Sequence, residues 1–186
     1  MEKQHVPSGA ALMRRAATLT ACLLILISCG GPSMEDKFQA LARRPDIDVM
    51  TARYEEMQTA LRNRVSAEVG PLNWKEQDPM SKAGCSGYSD VRGVESRTLA
   101  LWIHFGNIPD KQWDRVVAIA TEVTSAYGFE VPSARVNSPG QHDITAKDAY
   151  GALYMLGTAV NTTLMLHTGC HLEARAHPAN AGKKTS

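Results

Sequence analysis

The chain of 186 residues has room for one domain once a processed segment is set aside. Its 44% hydrophobic and 21% charged residues are ordinary for a soluble globular protein. A net charge of +1 and only 6% aromatic residues exclude a global electrostatic case for nucleic acid and leave little for base or sugar stacking.

The N-terminus reads as an address. Arg14 and Arg15 close a positive region, and an apolar run of roughly a dozen residues follows from Ala16 to Ile27, too short to span a bilayer. It ends in Leu26-Ile27-Ser28-Cys29, which resembles a bacterial lipobox. That resemblance implies a signal peptide over 1–28 and acylation of Cys29, palmitate among its chains. Leu19-Thr20-Ala21-Cys22 also fits, but cleavage there would strand the most apolar stretch on the mature chain, so Cys29 is preferred. Ala-Ala-Thr after Arg14-Arg15 lacks the bulky apolar pair of a twin-arginine signal, so the general secretory route is expected. Acyl chains contribute about 0.8 kcal/mol per buried CH₂, enough for two or more to hold the protein on the outer face of the plasma membrane.

Residues 29–45 are expected to form the lipidated N-terminus and a tether, with Ser33 and Asp36 spaced as a capping box and Phe38 and Leu41 making one amphipathic turn before Pro45. From Asp46 the spacing is helical: Ile47, Met50, Tyr54, Met57, Leu61 and Val65 form a stripe that Gly70-Pro71 ends. Residues 72–96 have no periodicity, and such long loops are either functional or pinned. Leu99, Leu101, Ile103 and Phe105 then alternate with Ala100, Trp102 and His104, a strand apolar on both faces and so placed centrally in its sheet. A second helix follows, with Pro109 and Asp110 in its first turn and a stripe of Trp113, Val116, Val117, Ala120, Val123 and Tyr127 before Gly128. Strands are expected over 130–136, 142–148, 152–159 and 162–170, and residues 174–186 read as a disordered tail. The expectation is a single domain over 46–173 of α+β class, two main helices packed in two layers on a mostly antiparallel sheet of four to five strands.

Two cysteines remain after processing at Cys29, namely Cys85 and Cys170. Gly84-Cys85-Ser86-Gly87-Tyr88 resembles the nucleophile segment of NlpC/P60-type cysteine peptidases, with His142 as the corresponding base. The resemblance stops there, because an apolar helix should open after the cysteine and "SGYSDVRGVES" offers none. A disulfide is the simpler account: an exported chain permits it and the pair is even. Closing about 85 residues would contribute at most about 4.5 kcal/mol in the chain-entropy model. A free Cys85 acting with His142, and two buried unpaired thiols, stay open as alternatives.

Other constellations carry less. His167, Cys170 and His171 could be drawn as a metal cluster, but a disulfide would remove its best ligand, and His104 reads as a strand residue. No metal and no cofactor is therefore expected. Gly182-Lys183-Lys184-Thr185 echoes a P-loop without its strand or helix, and Asn161-Thr162-Thr163 fits a hairpin turn better than a glycosylation site.

Taken together, "ARRPDID", "GCSGYSDV", "GNIPDKQWDRVV", "KDAYG" and "GTAVNTTLMLHTGCHL" resemble the mycobacterial LppA lipoprotein family over about Arg43 to Leu172. The resemblance implies an envelope lipoprotein with no assigned enzymatic activity. The expected function is a non-catalytic, lipid-anchored binding or surface module, attached to the membrane through Cys29, with an envelope protein or ligand as its other partner. Its binding surface is expected around 72–96 and the turns near Tyr150 and Asn161.

Overall fold

The computed structural model describes residues 31–182, and from Pro32 onward these form one compact unit. Cys29, Cys22 and the signal region lie outside the described residues, as does the chain after Gly182. The class is α+β: three α-helices and a nine-stranded antiparallel sheet.

Helix α1 (Met34–Ala42) opens with a capping box: Ser33 Oγ accepts from the Asp36 amide while the Asp36 carboxylate accepts from the Ser33 amide. Residues expected as tether are thus folded, because Leu41 finds a buried place beside Val91 and Leu172. Helix α2 (Ile47–Val69) is capped by Asp46, whose carboxylate accepts from the Asp48 and Val49 amides, and it buries the expected stripe. Helix α3 (Asp110–Ser125) buries Trp113, Val116, Ile119 and Ala120, whereas Val117, Val123 and Tyr127 are only half-buried. Its dry face is rotated toward Ile119, since α3 packs on both α2 and the sheet.

The strands are β1 (Trp74–Asp78), β2 (Ser81–Ala83), β3 (Val94–Thr98), β4 (Leu101–His104), β5 (Ser133–Ser138), β6 (Gln141–Lys147), β7 (Leu153–Thr158), β8 (Thr162–His167) and β9 (His171–Leu172). The main path runs β1-β4-β8-β7-β6-β5, with β3 joining β8 and carrying β2 and β9. Nine strands replace the expected four to five. The excess comes from β9 and from 72–98, which supplies β1, β2 and β3; of these β1 and β2 are exposed, polar edge segments without an apolar period. The expected strand through Leu99 is also split. Leu99 turns into the core, its amide donating to Leu166 O, while Leu101 and Ile103 point to the opposite face.

Both α2 and α3 cover one face of the sheet, where Ile144, Ala146, Tyr154, Leu156, Leu164 and Leu166 complete the core. At one end of this core Tyr54 and Tyr154 pack edge-on against Phe129. Asp148 is buried there. Its carboxylate accepts from the Tyr54 hydroxyl and from the Tyr150 and Ala152 amides, so the β6–β7 turn is tied to α2. Burial and the neighbouring carboxylate push the Tyr54 phenol well above its usual range.

The tail expected over 174–186 is ordered as far as Asn180. Two 3₁₀ turns, Ala174–Ala176 and Pro178–Asn180, fold back on the helices. His177 Nε2 donates to Arg44 O at 2.7 Å, and Asn180 Nδ2 donates to Asp46 Oδ2 at 2.9 Å. Small polar residues settle here because side-chain bonds replace apolar burial.

Removing the hydroxyl that Asp148 accepts leaves two amides in place. Tyr54→Phe is therefore expected to destabilise the domain by about 1–2 kcal/mol in urea unfolding, with the slope unchanged.

Candidate functional site

Three backbone segments meet at one end of the sheet. The β6–β7 turn places Tyr150 and Gly151, with Gly151 at φ 86°, and the chain leaving β8 passes Thr168 and Gly169. These two turns touch: a Cβ on Gly169 would lie 2.0 Å from Tyr150 O. Against them sits the segment 84–91, held by a disulfide between Cys85 and Cys170 whose Cα atoms are 6.0 Å apart. Arg44, in the link between α1 and α2, seals the junction. Its Nη1 donates to Tyr150 O at 3.1 Å and to Cys170 O at 2.9 Å, with the guanidinium 5.9 Å from the Tyr150 ring centre.

The result is an open cleft of about 400 Å³ between Arg44, Ser86, Tyr88, Ser96, Tyr150 and the disulfide. A second depression of about 490 Å³ continues past Cys85 and Tyr88 to Val91 and Val94. Chemically, the lining offers one cation, several hydroxyls and two tyrosine rings. Neither depression is lined by a carboxylate, an imidazole or a free thiol. Such a lining offers stacking and hydrogen bonding.

The peptidase expectation fails on this geometry. Cys85 is oxidised and lies at the disulfide end, whereas His142 pairs with Thr158 at the far end of β7, roughly 17 Å of strand away. His142 is instead structural: Nδ1 meets Asn137 Oδ1 at 2.7 Å, Nε2 meets Asp110 Oδ1 at 3.0 Å, and the ring stacks on Trp113. The histidines near Cys170 diverge too. His167 bonds Thr98 Oγ1 across the sheet, and His171 turns inward to Pro45 O. Among the described residues no group of three or more His, Cys, Asp or Glu side chains could hold a metal ion. His104 accepts from the Asn73 amide.

Of the three surface segments expected to bind, the structure unites the Tyr150 turn with 84–91 and leaves the Asn161 turn at the opposite end, beside His142. Arg44, Thr168 and Gly169 escaped the sequence reading. The one signal was Gly in "HTGC", where a side chain would strike the neighbouring turn.

The family model described as "LppA: Lipoprotein confined to pathogenic Mycobacterium" matches residues 30–174. The chain belongs to this LppA family. A crystal structure of the lipoprotein LppA from Mycobacterium tuberculosis is 17% identical, with a TM-score of 0.59 over 82% of this chain and 95% of that one. A DUF4853 family protein from Actinomyces odontolyticus is 14% identical, with a TM-score of 0.55 over 77% of each chain. Both likenesses establish the fold of the LppA-family domain and no more. No curated protein matches the chain. The family description and the two structural relatives name no enzymatic activity.

Replacing both cysteines, Cys85→Ser with Cys170→Ser, is expected to lower the stability of the domain by up to about 4.5 kcal/mol, read as a fall in the urea midpoint. Proteolysis should then cut first within 84–91. His171 supplies a pH test. Burial holds its pKa below the ordinary histidine value, so the unfolded chain takes up the proton first. The contribution is intact above about pH 6.5 and is lost as the pH falls below it. Melting temperature should therefore drop between about pH 6.5 and 5 in the wild type, and less steeply in His171→Asn.

Proposed function

We propose that this LppA-family protein is a non-catalytic binding module, exported and held on the outer face of the plasma membrane by an acylated Cys29. The observation that carries the reading is how little chain separates the lipobox from the fold. Ser33 already caps α1, so an anchor at Cys29 would stand four residues away, a reach of at most about 14 Å. Lys37 of α1 pairs with Asp90 at 2.9 Å, which puts the start of the domain beside segment 84–91. The cleft and the start of the described domain thus share one end, to which an anchor at Cys29 would attach. Two further facts support export: the family is one of lipoproteins, and a disulfide persists in an oxidising compartment. The binding surface in this reading is the cleft between Arg44, Tyr88, Tyr150 and the disulfide, close to the headgroups.

Acylation is testable at single-residue level. In an exporting actinobacterial host, the N-terminal peptide of the wild type should begin at Cys29 and carry the mass of its acyl chains. Cys29→Ser should lose that mass and leave the detergent phase on phase separation, while Cys22→Ser should behave as wild type. An unmodified N-terminus in the wild type would remove the anchor from the proposal.

A further inference from the structure

The face of the sheet turned away from α2 and α3 is apolar where it should be polar. An antiparallel sheet with one solvated face alternates apolar with polar residues, and strands apolar on both sides are normally covered on both. Here β4 and β7 are apolar on both sides, and β8 adds Met165 between the outward Thr163 and His167. Leu101, Ile103, Met165, Leu153 and Met155 point outward, stand outside the helix-covered core and are only half-buried. Among the described residues no helix packs on them. Six strands of the main path, the longest central ones six residues long, make a face of roughly 24 by 20 Å. That projected area of roughly 480 Å² is smaller than the accessible area, to which side-chain relief adds, and an ordinary interface buries roughly 800 Å² per partner.

One cross-strand row on this face says what fits it. From β1 through β4, β8 and β7 to β6 it reads Lys75, Ile103, Thr163, Gly157, Asp143. The register continues one strand further to Val136 on β5, and Thr163 on β8 is the midpoint of the five residues from Lys75 to Asp143. A two-fold axis along β8 turns the row back onto itself: Lys75 meets Asp143, Ile103 meets Gly157, and Thr163 meets Thr163. A cation faces a carboxylate, and a branched side chain faces the position that has none. In the next row the same operation sets Leu101 over Met155 and Met165 over its own copy.

We infer that this face is a homodimer interface, two copies packing sheet on sheet about an axis parallel to β8. Aligned packing of two antiparallel sheets is a common arrangement, and a self-complementary patch is what a two-fold dimer requires. The two charged ends of the row are loosely held: among the described residues Lys75 has no ion pair, and Asp143 has one long pair with Arg135, whose Nη1 also reaches Met155 Sδ at 2.9 Å, while Asp143 Oδ1 is buried. Lys75 holds its ammonium 5.9 Å from the Phe105 ring centre, a long contact. Asp143 leans across Gly157, with Arg135 Nη1 3.9 Å from Oδ2 and no hydrogen bond to Oδ1. The carboxyl is accordingly pushed up by desolvation, as expected of an acid short of partners. The direction of the axis matters as well. Rotation about a line along the strands keeps both disulfide ends on one side, so two anchors at Cys29 would enter the same membrane. A two-fold across the strands would send them to opposite sides. This last point rests on the anchored reading, whereas the row does not.

The test is crosslinking of the full chain in cells that export it, with Thr163→Cys on the axis and a short bis-maleimide. A band at twice the chain mass is expected, and Val131→Cys, exposed but off this face, should give none. Adding Met165→Lys should abolish the band. Lys75→Glu should weaken dimerisation about tenfold, a difference of about 1.4 kcal/mol, and Lys75→Glu with Asp143→Lys should recover it. A band at any other mass, no band, or a dimer indifferent to Met165→Lys overturns the proposal. The crosslink is read in whichever fraction contains the protein, so a failed anchor appears as soluble protein and a failed interface as uncrosslinked protein.

Discussion

The domain has two cores, and the smaller one exists because of a covalent bond. The main core needs nothing beyond α2, α3 and the inner sheet face, where buried side chains at helical and strand periods meet. The segment 84–91 has no such resource. It contributes Tyr88 and Val91 to a small cluster with Leu41 and Leu172, too little apolar area to order so many small and polar residues alone. The Cys85–Cys170 bond restrains that segment against the end of β8, and α1, β9 and the last 3₁₀ turns assemble around it. Arg44 and Gly169 are local consequences. One satisfies carbonyls that the junction would otherwise bury, and the other lets two turns approach within contact. The cleft is the space left between these pieces.

What could be read in the chain follows from where burial, as opposed to partnership, determines structure. Helices α2 and α3 and strands β6, β7 and β8 were legible because alternate or every third to fourth residue is apolar, and each lies against the main core. Even there, the expected α3 stripe lacked Ile119, since packing against two neighbours widens the dry face, while Val117, Val123 and Tyr127 pack half-buried against the same core. β1 was not legible. Trp-Lys-Glu-Gln-Asp is a strand because β4 supplies its hydrogen bonds, and a solvated edge has no need of apolar residues. The final turns were missed for a related reason: among the bonds that order His177 and Asn180 are those to Arg44 and Asp46, more than 130 residues earlier in the chain. The disulfide needed only compartment and parity. The cleft needed Arg44 and Gly169, whose roles depend on contacts that no local pattern encodes.

The reading of Leu99–Phe105 as apolar on both faces has a second consequence. It implied a strand in the middle of its sheet, yet β4 lies one strand from the edge. Position across the sheet and covering above it are separate matters, and the residues of β4 answer to the second. Trp102 meets α2, with the Arg62 guanidinium 3.4 Å from its ring centre. Leu101 and Ile103 are only half-buried and stand outside the helix-covered core. The same division holds along β7 and β8, whose inner residues are fully buried while Leu153, Met155 and Met165 are not. On β5, at the far edge, Val136 adds one half-buried outward residue beside Asp143. The outward apolar residues are therefore concentrated on three adjacent strands with β8 at their centre, flanked by Lys75 on one side and by Asp143 with its partner Arg135 on the other. A patch that evolved only to pack loosely against solvent has no reason to be centred or to be charge-paired across its centre. Both properties follow at once if the missing layer is a second copy of the same sheet.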